Sequence, residues 1–349
     1  MEFLSEYGLF LAKAITIVAA ILVVAGSVAA IAVRQSKASD TELHLSLLNT
    51  EFEQMETALS SAHLGEQGQK ERIKAERKKA KHEAKKKKKA AKSGEQEATR
   101  GRLFVIDFDG DIRASANESM RQEISAILTT ASERDEVLLR LESGGGMVHS
   151  YGLAASQLQR IRDHGIPLTI SIDKVAASGG YMMACVANKI IAAPFSIVGS
   201  IGVLAQIPNL HRLLKKNNVD FEQLSAGEYK RTLTMFGENT NKARDKMQQE
   251  LDETHHYFKD FIRTQRPQLD VDKVATGEHW LGTRALELGL VDELQTSDDY
   301  LMESRKDHDL IHVQFSHKKK LSERIAKVFS RIRVDNEKSV RDLDKPLLM

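Results

Sequence analysis

Cysteine occurs once in the 349 residues, at Cys185, which excludes an intramolecular disulfide framework and any multi-cysteine zinc site. Proline is scarce, with 5 residues, and set beside 21 glycines this excludes collagen-like and proline-rich disordered chains. The chain has neither a glycine loop ending in Gly-Lys-Ser/Thr nor a Gly-x-Gly-x-x-Gly fingerprint, so a phosphate cradle of either kind is missing. No second half repeats the pattern of residues 104–202. One chemistry-bearing module is therefore expected rather than two.

What is present suits a folded chain. Hydrophobic residues make up 41% and charged residues 29%, near globular averages, and the length allows one large or two modest domains. The net charge of +2 conceals segregation: residues 70–92 hold 13 Lys/Arg against 3 Glu, so the rest of the chain is acidic at −8. A basic arm on an acidic body points to an anionic partner surface. The tract Lys78–Lys92 has no interleaved aromatic residue to stack bases, which favours a solvated or lipid-facing helix over nucleic acid.

Ala14–Val33 runs 20 residues without a charge, and ~20 residues at ~1.5 Å each span a ~30 Å hydrocarbon core. A single transmembrane helix is expected there. Glu2 and Glu6 precede the run, and its length exceeds a signal-peptide core, so an uncleaved anchor is favoured over a cleaved leader. Beyond it, Leu45, Leu48, Phe52, Met55 and Leu59 recur at spacings of 3, 4, 3 and 4. That seam fits either a short coiled coil or an amphipathic helix docked on its own domain.

After Gly101 the pattern becomes that of an α/β fold, with short apolar runs alternating with longer amphipathic ones, as in repeated βαβ units on a mostly parallel sheet. Strands are expected at Arg102–Phe108, Glu136–Leu141, Pro167–Ile172 and Lys189–Ala192, with a late edge strand at Asp309–Phe315. Helices are expected at Met120–Ala131, Gly152–Arg162 and Thr240–Arg263, the last closed by Pro267. The expected divisions are residues 1–34 for the anchor, 35–100 for the stalk, 101–300 for the catalytic-type domain and 301–349 for a C-terminal strand, helix and basic tail.

Ligands of open parallel sheets bind beyond the strand ends, where two glycine turns fall: Ser143-Gly144-Gly145-Gly146 and Ala176-Ala177-Ser178-Gly179-Gly180. Unobstructed backbone N–H groups there could face an oxyanion. Ser178 reads either as a helix N-cap or as a nucleophile in need of a base. The candidate bases are His149, His211, His255, His256, His279 and several lysines.

The motifs Leu139–Ser143 before the first glycine turn, Val175–Tyr181, Val198–Val203, Ala226–Arg231 and Ala285–Glu293 together resemble peptidase family S49, that of signal peptide peptidase A and its half-length relatives. They are most similar to the SohB-type inner-membrane members, and the resemblance covers residues 104–294. It implies a crotonase/Clp-like fold and a serine endopeptidase with no metal or organic cofactor. The implied catalytic pair is Ser178 as nucleophile and Lys230 as general base. Ser200 would be bonded to the lysine amine, and the N–H groups of Gly145 and Gly179 would form the oxyanion hole.

The implied partners are peptide or protein substrates near a lipid bilayer and further copies of the chain in a homo-oligomer. Gly144 stands where the family turn has proline, which loosens the turn because glycine does not fix φ. Such a dyad needs a neutral amine, whereas free lysine titrates near ~10.4, so Thr232–Phe236 is expected to exclude water from Lys230. Arg34 and Lys37 after the span favour a cytoplasmic body, while the resemblance favours the periplasmic face of a bacterial inner membrane, which is the expectation kept. Two other readings stay open: an acyl-CoA enzyme of related fold, which a serine–lysine pair opposes, and a catalytically inactive oligomeric membrane scaffold.

Overall fold

The computed structural model describes residues 41–62 and 100–317, with isolated positions 8, 10, 13, 16, 18 and 78. The chain divides into two compact units, residues 1–44 with 315–349, and residues 45–314. The expected span Ala14–Val33, but for positions 16 and 18, lies outside the described residues, as do nearly all of the lysine tract and the basic tail. Among the described residues no helix is long and apolar enough to cross a membrane.

A mostly parallel mixed α/β sheet organises residues 45–314. Its centre is β2 (Gly101–Gly110) and β3 (Glu136–Ser143), paired in parallel from Leu103↔Glu136 to Gly110↔Ser143. Side chains alternate along these strands. Phe104, Ile106, Phe108, Val137, Leu139 and Leu141 enter one core, and Leu103, Val105 and Leu138 enter another on the opposite face. Both faces are covered, as a parallel sheet requires.

The sheet continues in parallel through β4 (Leu168–Ile172) and β6 (Lys189–Ala192) to β9 (Glu293–Leu294). The strand expected at Asp309–Phe315 is β10 (His308–His317), parallel to β2. It is not an edge, because β1 (Thr41–Leu47) comes before it in the sheet order. The connecting helices α2 (Asn117–Leu128) and α3 (Val148–Asp163) bury Met120, Ile124, Tyr151, Leu158 and Ile161 against the first core.

The opposite face is covered by α7 (Ser297–Ser304) through Leu301 and by α1 (Leu48–Ala62) through Leu48 and Phe52. Asn49 fixes α1: its amide donates to His308 O at 3.2 Å and its Oδ1 accepts from Leu310 N–H at 2.6 Å. Of the two readings of the Leu45–Leu59 seam, docking on the same chain is what Leu48 and Phe52 do. Leu45 lies in β1, while Met55 and Leu59 stay exposed.

A short ribbon branches from the end of β3. Ser143 pairs with Ala176 of β5 (Val175–Ala177), β5 pairs in parallel with β7 (Ile197–Gly199), and β7 pairs antiparallel with β8 (His279–Leu281). The long helix α6 (Asn241–Gln265) starts at Thr240, whose side chain accepts from Ala243 N–H, and buries Phe258 and Ile262. At its end Arg266, 3% exposed, meets Asp292 through two hydrogen bonds of 2.9 and 2.6 Å. Burial alone would raise the Asp292 carboxyl, but hydrogen bonds from Arg266 and the Ile190 N–H hold it below its ordinary value.

Candidate active site

The ribbon sets the geometry around Ser178. Register pairs Ala177 with Gly199, so Ser178 and Ser200 follow as neighbours at the two strand ends, and Ser178 N–H donates to Gly199 O at 2.7 Å. Both serines have positive φ, 53° and 51°, a region that L side chains enter at a cost. Ser178 stands between β5 and the short helix α4 (Gly179–Ala184) and accepts no backbone N–H bond on its side chain. It is therefore not an N-cap of the usual kind.

Ser178 lines a cavity of about 570 Å³ together with Gly146, Gly179, Met182, Val203 and Phe258. The walls are mostly apolar, and no histidine lines it among the described residues. His149 and His279 are exposed, and His211 lies at the start of the surface helix α5 (His211–Lys216), with Nδ1 3.3 Å from Phe236 O.

The two glycine turns interlock. A Cβ on Gly145 (φ 86°) would fall 2.8 Å from Ala177 O, Gly179 N and Ser178 Cβ, so only glycine lets the first turn lie against the serine. A Cβ on Gly179 would fall 2.4 Å from Tyr151 Cγ, and one on Gly180 would fall 2.6 Å from Ser143 O. Gly144 is different, since its Cβ would meet nothing within 4 Å and its φ is not positive.

The N–H of Gly145, expected to face an oxyanion, donates instead to Ser143 Oγ at 3.1 Å. Gly146, not Gly145, reaches the cavity beside Gly179. Spacing shows that a glycine turn is present. It does not show which of its amides is consumed within the turn, because that depends on the buried Ser143 hydroxyl.

Lys230 does not line the cavity that Ser178 lines. It is exposed, in a turn closed by its own N–H to Gly227 O at 3.2 Å, and it lines a separate cavity of about 890 Å³ with Phe221, Leu224, Met235 and Phe236. The expected exclusion of water by Thr232–Phe236 does not occur within this chain. The physical reason lies in residues 203–240, whose only regular element is α5 and whose Leu204, Leu213, Val219, Phe221 and Leu224 are exposed. Without a strand or long helix to seat it, this segment leaves its apolar side chains unburied.

A serine on a strand-to-helix turn, lining a cavity with Gly146 and Gly179, has the chemistry to attack a carbonyl carbon held there. Residues 2–158 match Peptidase family S49 N-terminal, and residues 160–310 match Peptidase family S49. The chain belongs to peptidase family S49.

"Probable protease SohB" of Haemophilus influenzae is 53% identical over 323 residues, 92% of this chain and 91% of that protein. The protein of the same description from Buchnera aphidicola subsp. Schlechtendalia chinensis is 49% identical over 304 residues, covering 86% and 99%. "Protease 4" of Haemophilus influenzae is 30% identical over 195 residues, 54% of this chain and 31% of that protein. Among solved structures, a membrane-bound stomatin-specific protease in complex with a substrate peptide overlaps with a TM-score of 0.40 at 15% identity, covering 58% of this chain and 80% of that one. Membership in this family supports protease activity for this chain.

Proposed function

We infer that this chain is a membrane-anchored serine endopeptidase of crotonase/Clp-like fold. Ser178 attacks the peptide carbonyl, Lys230 takes the serine proton, Ser200 orients the lysine amine, and backbone N–H groups of Gly179 and the first glycine turn receive the oxyanion. The observation that carries this reading is Ser178 itself, strained at φ 53° between β5 and α4 and open to an apolar cavity. Strain at that one residue is retained against a cost of about 1–3 kcal/mol, which suits a group whose aim matters. The apolar walls favour an extended peptide with apolar side chains.

Ser200 stands beside Ser178 at the neighbouring strand end, which favours its role in the pair. Gly146 lines the cavity and takes the donor role first given to Gly145, whose N–H is engaged by Ser143. Lys230 lines a different cavity, and this reading gives residues 203–240 a second task. Their exposed apolar side chains are suited to burial against another copy of the chain, and that burial would draw Lys230 to a serine in a homo-oligomer. Substrates are peptides or proteins near the lipid surface. The span Ala14–Val33 anchors the chain in a bacterial inner membrane, with the catalytic domain on the periplasmic side.

The separate cavity around Lys230 also favours a second reading, a catalytically inactive oligomeric scaffold of the same fold. Turnover of an apolar peptide by the detergent-solubilised protein beside its Ser178→Ala variant separates the two. Loss of turnover in the variant supports the peptidase, and no turnover by the parent supports the scaffold.

A further inference from the structure

Gly144 leaves the first glycine turn without the φ restraint of a proline, yet the turn must be held if its amides are to face one point. The structure holds it from beneath. Ser143, 1% exposed, and Tyr151, 0% exposed, join through their hydroxyl oxygens at 2.6 Å. Tyr151 Oη donates its one proton to Asp111 O at 2.8 Å, because a carbonyl can only accept. Ser143 must then donate to Tyr151 Oη, and its remaining lone pairs are free to accept the Gly145 N–H at 3.1 Å.

The direction of every proton in this relay is thus fixed, from Gly145 N–H to Ser143 to Tyr151 to the Asp111 carbonyl. The same two side chains touch both glycine turns and the neighbouring strand end. A Cβ on Gly110 would lie 2.5 Å from Ser143 Oγ and 2.6 Å from Tyr151 Oη, and the Tyr151 ring lies under Gly179. Phe108 packs edge-on against that ring at 6.4 Å between centroids.

We propose that Ser143 and Tyr151 are positioning residues for the oxyanion turn: their relay occupies the inward N–H of Gly145 and so presents Gly146 to the cavity beside Gly179 and Ser178. Neither residue touches substrate. The relay replaces, by hydrogen bonds, the rigidity that a proline at position 144 would supply. This inference rests on the peptidase reading of the same site.

The test is steady-state hydrolysis of an internally quenched apolar peptide by the full chain in detergent, with circular dichroism to count folded protein. Tyr151→Phe keeps the ring under Gly179 and removes only the hydroxyl. It is expected to lower kcat about 10–100-fold with KM changed less than about twofold, since small misplacements of oxyanion donors act on the transition state. Ser143→Ala should do the same, and the double variant should be no worse than either, because the two act as one unit. Adding Gly144→Pro to Tyr151→Phe should recover most of the lost kcat, as proline restores the φ restraint by another route.

Tyr151→Phe with unchanged kcat overturns the proposal, as does a loss that Gly144→Pro fails to recover in a protein that is fully folded. If Tyr151→Phe does not fold, Ser143→Ala alone decides by the same two criteria. Turnover that survives Ser178→Ala overturns the peptidase reading and this inference with it. Turnover that needs Ser178 but ignores both hydroxyls overturns the positioning role alone.

Discussion

Adjacent glycines at 144 and 145 should respond to alanine in opposite ways. At Gly145 the new Cβ would lie 2.8 Å from two backbone atoms and from Ser178 Cβ, and the residue would be held at φ 86°. The left-handed backbone costs a non-glycine residue about 1–2 kcal/mol. Overpacking adds about 1–3 kcal/mol. Reduced freedom of the unfolded chain returns about 0.4–1 kcal/mol.

Gly145→Ala should therefore destabilise the body by about 1–5 kcal/mol, a large part of a typical ~5–15 kcal/mol. At Gly144 the Cβ meets open space, so only the entropic gain remains and Gly144→Ala should change stability by less than about 1 kcal/mol, in the stabilising direction. Urea unfolding followed by circular dichroism measures both, and a lower midpoint at unchanged slope is the signature of lost stability. Because Gly145 lies directly against Ser178, peptide turnover should fall in Gly145→Ala even at urea-free conditions where the protein is folded. Equal midpoints for the two variants would refute the close approach on which the site is built.

The Arg266–Asp292 pair joins a buried guanidinium to a carboxylate whose side chain is 32% exposed: Asp292→Ala removes two charged hydrogen bonds from a 3% exposed Arg266 and should cost about 1.5–3 kcal/mol in urea unfolding. Arg284→Ala, which removes an exposed helical pair with Glu287, should cost under about 1 kcal/mol and serves as its contrast. Asp107 predicts an acid limb. Burial alone would raise its carboxyl, but hydrogen bonds from His312 and Arg140 lower it from 3.8 to about 2. Its contribution is therefore present above the unfolded value near ~3.9 and is lost as pH falls towards 2. Asp107→Asn should flatten the stability profile between about pH 4 and 2 by a modest amount, since the carboxylate is half-exposed; an unchanged slope there would remove Asp107 from the account.

The sheet was legible because its strands are buried on both faces. Apolar runs such as Arg102–Phe108 and Lys189–Ala192 mark themselves, and the amphipathic stretches between them mark the crossover helices. The ribbon β5–β7–β8 was not legible: three-residue strands carry no periodicity, and their pairing is set by contacts far apart in sequence. The glycine turn singles out Ser178 and Gly179 and the resemblance of motifs gives them roles, while the ribbon places Ser178 and Ser200 just beyond the paired ends of β5 and β7.

Tyr151 escaped notice because an aromatic residue on an amphipathic helix reads as core packing. Only its hydroxyl bonds to Ser143 and Asp111 O set it apart from Phe108 beside it. The docking of Leu48 and Phe52 was one of two readings of a seam too short to choose between them. Lys230 shows a further limit, since a motif names a residue without saying what must fold or associate to bring it into place.

The proposed mechanism has Ser178 and Lys230 act as one catalytic pair. Steady-state peptide hydrolysis by the detergent-solubilised full chain, beside Ser178→Ala and Lys230→Ala, tests that most directly. Each variant should lose turnover by about a thousandfold or more while its circular dichroism is unchanged, because either change disables the same proton transfer. Full turnover in Lys230→Ala would give the proton to another base, and full turnover in Ser178→Ala would contradict the account at its centre.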